Sequence, residues 1–384
     1  MKLKTTLRKY IFRFLVIAIM IGTLLYFFLT LDVKGSFVLY KTATVYLLLI
    51  ALLFMIISAI VKAYRFYILI KPSSPDLKFL KFLLPYFVGY GFSVLGPFKT
   101  GEIASVEINK RSLDVPRSSS LAALAFFRIV DMFVVMVFFI IALGTTVPEI
   151  INNIELKSAL LQAQSSVYYI KQKIPVWEFL SSGLTGNVQL AIQIVFYIAI
   201  IGTIVLTFVL FFPPIGRFVL KIIIKITGKI SLKGKTWLEN KVVPALDEYY
   251  SSLKLLYTKK IIASLVITTT IFRWIVEFYS LKFTLMAFGG NISLVNAASV
   301  TSITLLVGLL TFVPAGLGTG TVTTQSLFKG LNISSTIAGA TIIFQTLIGT
   351  GLTLSLAAIS SFFLKEKKKG NDKEQEEQTL EEDD

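Results

Sequence analysis

The sequence predicts an all-α, polytopic membrane bundle of about six full spans plus two broken, re-entrant stretches. Three observations predict it. Of 384 residues, 55% are hydrophobic and only 16% are charged, against roughly 25% charged in an ordinary soluble domain. The mean hydropathy is +0.76. The apolar residues come in runs of 17 to 25, and about 20 apolar residues in a helix cross a bilayer core of ~30 Å.

The elements follow in order. A basic start, MKLKTTLRKY, precedes an apolar run from Ile11 to Leu31. That run is longer than a signal-peptide core and no small-x-small cleavage site follows it, which favours a retained first span. A second span covers about Val45 to Val61, with Lys62, Arg65 and Lys71 marking its end. The stretch from Phe79 to Arg117 is apolar to Leu95 but carries Pro85, Gly89, Gly91, Gly96 and Pro97, so it reads as interrupted. A span from about Leu121 to Leu143 follows, then a polar loop over 145–187, then a span from about Val188 to Phe212. Pro213 and Pro214 end it. Residues 213–260 hold ten basic and three acidic residues, with Arg217, Lys221, Lys225 and Lys229 four apart among apolar residues. That pattern fits an amphipathic helix on an anionic membrane face; an ordinary basic cytoplasmic loop fits equally. The remaining elements are a span over about Ile261–Phe288, a second broken stretch over Ile292–Gly330, and a last apolar run over Ile337–Leu364. The integral membrane domain is thus 1–364, in halves of about 11–144 and 188–364. The charged tail, 365–384, has the composition of a disordered cytoplasmic segment.

Charge bias selects a topology. If the stretch ending at Pro97 crossed fully, the basic segment 213–260 would lie outside, against the positive-inside bias. If it enters and leaves on the cytoplasmic side, the near-neutral loop 145–187 is outside and both termini are cytoplasmic. The second broken stretch then enters and leaves on the outer side, either as a re-entrant loop or as two opposed spans.

The two broken stretches also match each other. Leu95-Gly96-Pro97 opens a turn reaching Gly101, and Phe312-Val313-Pro314 opens one reaching Gly318 and Gly320. Arg128 lies 31 residues after Pro97, and Gln345 lies 31 residues after Pro314. With the topology above this is an inverted repeat with interrupted helices, a layout that places binding sites near the membrane midplane. Short Pro/Gly matches also arise by chance.

Several chemistries are excluded. The chain has no Cys and no His, so disulfides, thiolate nucleophiles, Cys/His zinc sites and imidazole-based triads are absent. No catalytic residues, metal ligands or cofactor motifs stand out. The formal charge of +16 is dispersed between apolar spans, which argues against nucleic acid and for anionic lipid. Charge at bilayer depth is costly and usually functional. The candidates for contact with a substrate headgroup are Lys99, Gly101, Glu102, Arg65, Arg128, Asp131, Arg273, Glu277, Pro314, Gly316 and Gly318. Arg128 with Asp131 (i, i+3) and Arg273 with Glu277 (i, i+4) are spaced to neutralise each other as purely structural pairs, and Arg65 is placed to snorkel to the interface.

FVGYGFSVLGPFKTGEIASVEI followed by LAALAFFRIVDMFVVMVFF resembles the lysylphosphatidylglycerol synthase transmembrane domain, whose members are also described as flippase-like or UPF0104-type membrane proteins. Pro97, Phe98, Lys99, Gly101 and Glu102 match its LPFRxGE motif. Arg128 and Asp131 match its ERLLD-like motif, Arg65 a basic residue near the end of the second span, and VPAGLG its PxGGLG turn. The chain departs from the pattern at Phe127, Thr321 and Gln345, where charged residues are common, so the second half has lost charge. The resemblance implies the lipid-translocating part of such proteins rather than the soluble aminoacyltransferase, and hence no enzymatic activity. It points to a translocase of an anionic phospholipid or lipid-linked glycan in the cell membrane. An envelope assembly or regulatory protein, or a membrane enzyme acting on lipid headgroups, are the alternatives. The sequence leaves the oligomeric state open, a homodimer included.

Overall fold

The computed structural model describes residues 33–95, 101–146, 208–309 and 319–364, with a few isolated positions between them. All elements described are helical. They are α1 (Val33–Thr42), α2 (Val45–Ile70), α3 (Phe79–Leu95), α4 (Gly101–Leu113), α5 (Arg117–Gly144), α6 (Pro213–Ile230), α7 (Leu232–Trp237), α8 (Val243–Thr258), α9 (Lys260–Ala287), α10 (Leu294–Leu309), α11 (Thr319–Gly330) and α12 (Ser335–Phe363). A π-helical turn, Leu238–Val242, joins α7 to α8.

Four helices among the described residues are long and apolar enough to cross a membrane: α2, α5, α9 and α12. Their outer faces expose large apolar side chains such as Phe133, Ile140, Ile261 and Leu347, as hydrocarbon contact allows and water does not. The expected spans over 11–31 and 188–212 fall outside the described residues except near the end of the second.

α2 and α9 pack along each other most extensively. Thr44 N–H bonds the Ala287 carbonyl at one end, and Arg65 meets Thr270 at the other, so the two helices are antiparallel. Close approach is possible because α2 buries Ala51, Ala59 and Ala63; small residues let membrane helices gain dispersion contacts that lipid would otherwise supply. Phe54 stacks on Tyr279 and Phe283, and the Ser280 hydroxyl donates to the Ala51 carbonyl at 3.1 Å.

Around this pair the contacts repeat. α3 packs on α4 and α10 on α11; α4 touches α5 and α11 touches α12; α5 lies against α10 and α12 against α3. Exchanging α2–α5 with α9–α12 reproduces the pattern, and antiparallel α2 and α9 make it an inverted repeat. The only left-handed non-glycine residues described, Asp114 and Asn332, occupy the corresponding turns after α4 and α11. They lie 332 − 114 = 218 positions apart, against 314 − 97 = 217 for the two prolines. Asp and Asn tolerate this conformation better than other side chains.

Each broken stretch is a hairpin. The α3–α4 hairpin shares an end of the bundle with the start of α5, and the α10–α11 hairpin shares the opposite end with the start of α12. Two expectations need correction here. Pro85, Gly89 and Gly91 do not interrupt α3, which is continuous from Phe79 to Leu95. The glycines instead serve packing: an added Cβ at Gly89 would clash with Ser105 of α4, and one at Gly91 with Ala357 of α12. Nor does the second span end near Val61; α2 runs nine residues further, to Ile70, because its late polar residues have partners inside the protein.

Candidate functional site

Those partners form a buried charged network at mid-height of the bundle. Asp131 and Arg273 each lie about halfway along a 28-residue helix, α5 and α9. The network separates two apolar clusters. One is built around Phe66, Phe82, Phe127 and Leu253; the other is built around Val135, Phe278, Ile303 and Phe328.

Arg65, fully buried, grips Asp131 in a bidentate fork, with Nη1 to Oδ1 at 2.8 Å and Nη2 to Oδ2 at 2.9 Å. Nη1 also donates to Thr270 Oγ1 at 2.9 Å. Arg273 donates to the same Asp131 Oδ1 at 3.3 Å and to Glu277 Oε2 at 3.1 Å. Glu277 accepts from Ser58 at 2.8 Å and pairs with Lys62 at 3.6 Å. Lys62 in turn donates to the Tyr90 hydroxyl of α3 at 3.2 Å. One chain of contacts therefore runs from α3 through α2 and α9 to α5.

Aromatic faces complete the setting. The Arg65 guanidinium lies 3.8 Å from the Phe127 ring centroid and that of Arg273 lies 3.7 Å from Trp274, a contact worth more in a dry site than in water. Phe127 supports Arg65 with its ring.

This geometry corrects two readings. Arg65 does not snorkel to the interface; it is the most enclosed cation of the network. The pair Arg273–Glu277 exists, but it is one link in a larger net, and Asp131 turns to Arg65 and Arg273 across helices. Arg128, half-buried one turn before Asp131, sits with its guanidinium 5.9 Å from the Phe127 ring centroid. The sequence alone did not single out Lys62, Ser58, Thr270, Tyr90 or Trp274 as parts of the site. A signal was present, since Ser58, Lys62 and Arg65 are spaced i, i+4, i+7 on one face of α2.

Lys62, Arg65 and Arg273 set three positive charges against the two carboxylates of Asp131 and Glu277. Nε of Arg65 and Nε of Arg273 are buried without a partner among the described residues. Donors left unpaired in a low-dielectric interior favour an anionic acceptor. Glu277 is the open side of the network, with a side chain 37% exposed.

Gly101 opens α4 and Glu102 follows it; Lys99, Pro314, Gly316 and Gly318 lie outside the described residues. In the second half Gln345 stands where the repeat places Arg128 in the first, at 345 − 128 = 217. Its amide donates to Thr284 at 2.7 Å and Ser280 at 3.3 Å. Charge therefore gathers on one side of the α2–α9 crossing and neutral polar groups on the other. Among the described residues no three metal-ligating side chains come together.

No solved structure matches the chain. A UPF0104 membrane protein of Methanocaldococcus jannaschii is 27% identical over 139 residues, which cover 34% of this chain and 40% of that protein; the match thus spans less than half of the relative's length. The family model described as the lysylphosphatidylglycerol synthase TM region matches residues 11–160 and 176–357. With both halves matched and an all-helical bundle of apolar spans behind the match, the chain belongs to the lysylphosphatidylglycerol synthase TM region family.

Proposed function

We propose that the protein moves an anionic phospholipid or lipid-linked glycan across the cell membrane, with its headgroup received at the charged network. The observation that carries this reading is a buried, net positive cluster at mid-height, flanked by two hairpins that enter the bundle from opposite ends. Burying such charges costs several kcal/mol each unless they are paired. A site whose cations outnumber its carboxylates is therefore matched to an anion that arrives and leaves. Arg65, Arg128 and Arg273 supply the positive charge in this reading, and Asp131 and Glu277 orient them. Lys99, Gly101, Glu102, Pro314, Gly316 and Gly318 join them on sequence grounds. The positive-inside bias puts the basic segment 213–260 and both termini in the cytoplasm.

The test uses the full chain in liposomes carrying a trace of fluorescent phosphatidylglycerol. Wild type should speed its exchange between leaflets over protein-free liposomes, and Arg128→Ala should lose most of that gain. Mass spectrometry of co-purified lipid should show one anionic class enriched in the wild type only. Exchange no faster than in empty liposomes across a panel of anionic lipids, with no lipid enriched, overturns the reading.

A further inference from the structure

The α6 helix offers a second surface, away from the charged network. The chain leaves the apolar run as helix over residues 208–211, is extended at Phe212, and restarts as α6 at Pro213. Such a break lets the new helix take a different direction from the old one. Its mount is rigid. The hydroxyls of Tyr249 and Tyr250 on α8 donate to the carbonyls of Leu210 and Val209 at 3.1 and 2.7 Å, and the Tyr250 ring occupies the space beside Gly216, where any side chain would collide. Arg217 is tied to Asp247 of α8 at 2.9 Å.

At 100° per residue α6 divides into three faces. The first, with Gly216 and Leu220, is buried, Gly216 against Tyr250 of α8. The second carries Ile215, Phe218, Ile222, Ile223 and Ile226, all exposed, with Phe218 at 62% and Ile226 at 54%. The third is a basic edge: Lys221 and Lys225 are exposed, have no ion-pair partner among the described residues and adjoin Phe218, while the four-residue spacing carries position 229 to the border of the apolar face.

An apolar face this large facing water would be an aggregation liability. Here it borders the exposed Lys221 and Lys225, unpaired among the described residues, on a chain with four helices apolar enough to cross a membrane. We infer that α6 lies in the membrane–water interface, its isoleucines and Phe218 dipped into the acyl boundary and its lysines on the phosphates of an anionic leaflet. Apolar insertion beside cationic headgroup contact is the physics of interfacial helices, and charge complementarity names anionic lipid as the occupant. This surface is separate from the charged network, so its failure and that of the transport reading are independent.

The absence of cysteine makes the test clean. The full chain carrying Ile226→Cys, labelled with an environment-sensitive fluorophore, is placed in vesicles containing doxyl-labelled phosphatidylglycerol or doxyl-labelled phosphatidylcholine at equal fraction. Glu248→Cys, exposed on α8, is the aqueous control, quenched by iodide. Position 226 should resist iodide, should be quenched by both doxyl lipids, and should be quenched at least twofold more by the phosphatidylglycerol probe. Adding Lys221→Gln, Lys225→Gln and Lys229→Gln should bring that ratio to about one. Quenching by iodide instead, or by neither agent as beneath a protein partner, overturns the inference. So does equal quenching by the two lipids in the unaltered helix.

Discussion

Arg65 and Glu107 show what burial does to a charge. Arg65 has no contact with solvent, and its charge is tolerable only because Asp131 accepts both ends of its fork. Removing one member of a buried pair leaves the other uncompensated and typically costs about 3–5 kcal/mol. Asp131 serves two arginines, so Asp131→Asn should lower the melting temperature sharply. Arg65→Lys should also destabilise, since lysine offers neither the fork nor the flat face that meets Phe127. Glu107 of α4, outside the four spans, is bridged to Arg111 and Arg117 at 2.9 and 2.8 Å. Hydrogen bonds from Arg117 and then Arg111 hold its carboxyl down at about 2. Its contribution is complete above the ordinary carboxylate range and vanishes as pH falls toward about 2. Because the group faces solvent, that contribution is small, and Glu107→Gln should barely move the melting temperature at neutral pH. Thermal denaturation in detergent checks both: equal effects at positions 107 and 131 would contradict the network's role.

At the scale of the helix, α3 carries a measurable consequence of close packing. Gly→Ala inside a helix usually stabilises by about 0.5–1 kcal/mol. At Gly91 the new Cβ would fall on that of Ala357 in α12, and overpacking costs about 1–3 kcal/mol. The steric effect is the larger, so Gly91→Ala should destabilise. Adding Ala357→Gly removes the colliding methyl and should recover part of the loss; no coupling between the two sites in denaturation midpoints would contradict the contact. The element scale is also where the sequence could be read best. Runs of apolar residues gave α5, α9 and α12 within four residues at either end, because length and hydropathy are summed over a whole helix and survive local noise. The sequence ends α2 too early, because Lys62 and Arg65 look like a membrane exit. Nothing local distinguishes a cation facing headgroups from one facing Asp131, 66 positions away. The same limit hid the cross-helix partners of the site. Spacing within one helix pairs Arg273 with Glu277 and sets Arg128 near Asp131, but it cannot show that Arg65 of α2 and Arg273 of α9 reach the same carboxylate from other helices.

For the whole molecule, the inverted repeat ties topology to charge. α2 and α9 run antiparallel, and the two hairpins open at opposite ends, so the turn at residues 74–78 and the turn at 288–293 belong to opposite faces of the bundle. The α8 helix of the basic segment packs on the start of α5, which puts it at the same end as the first of these turns. The positive-inside bias then assigns that end to the cytoplasm. Single cysteines at two exposed positions, Asp76→Cys and Asn291→Cys, can be introduced without removing any native thiol. In intact cells an impermeant maleimide should label Asn291→Cys and leave Asp76→Cys untouched until the membrane is opened. Labelling of both from outside would break the inversion. The reverse pattern would keep the inversion but turn the molecule over, placing ten basic residues on the outer face. The expected pattern puts the α3–α4 hairpin, the basic segment and α6 together on the cytoplasmic leaflet. A headgroup gathered there by the lysines of α6 would then lie on the side from which the α3–α4 hairpin, linked to the network through Tyr90 and Lys62, enters the bundle.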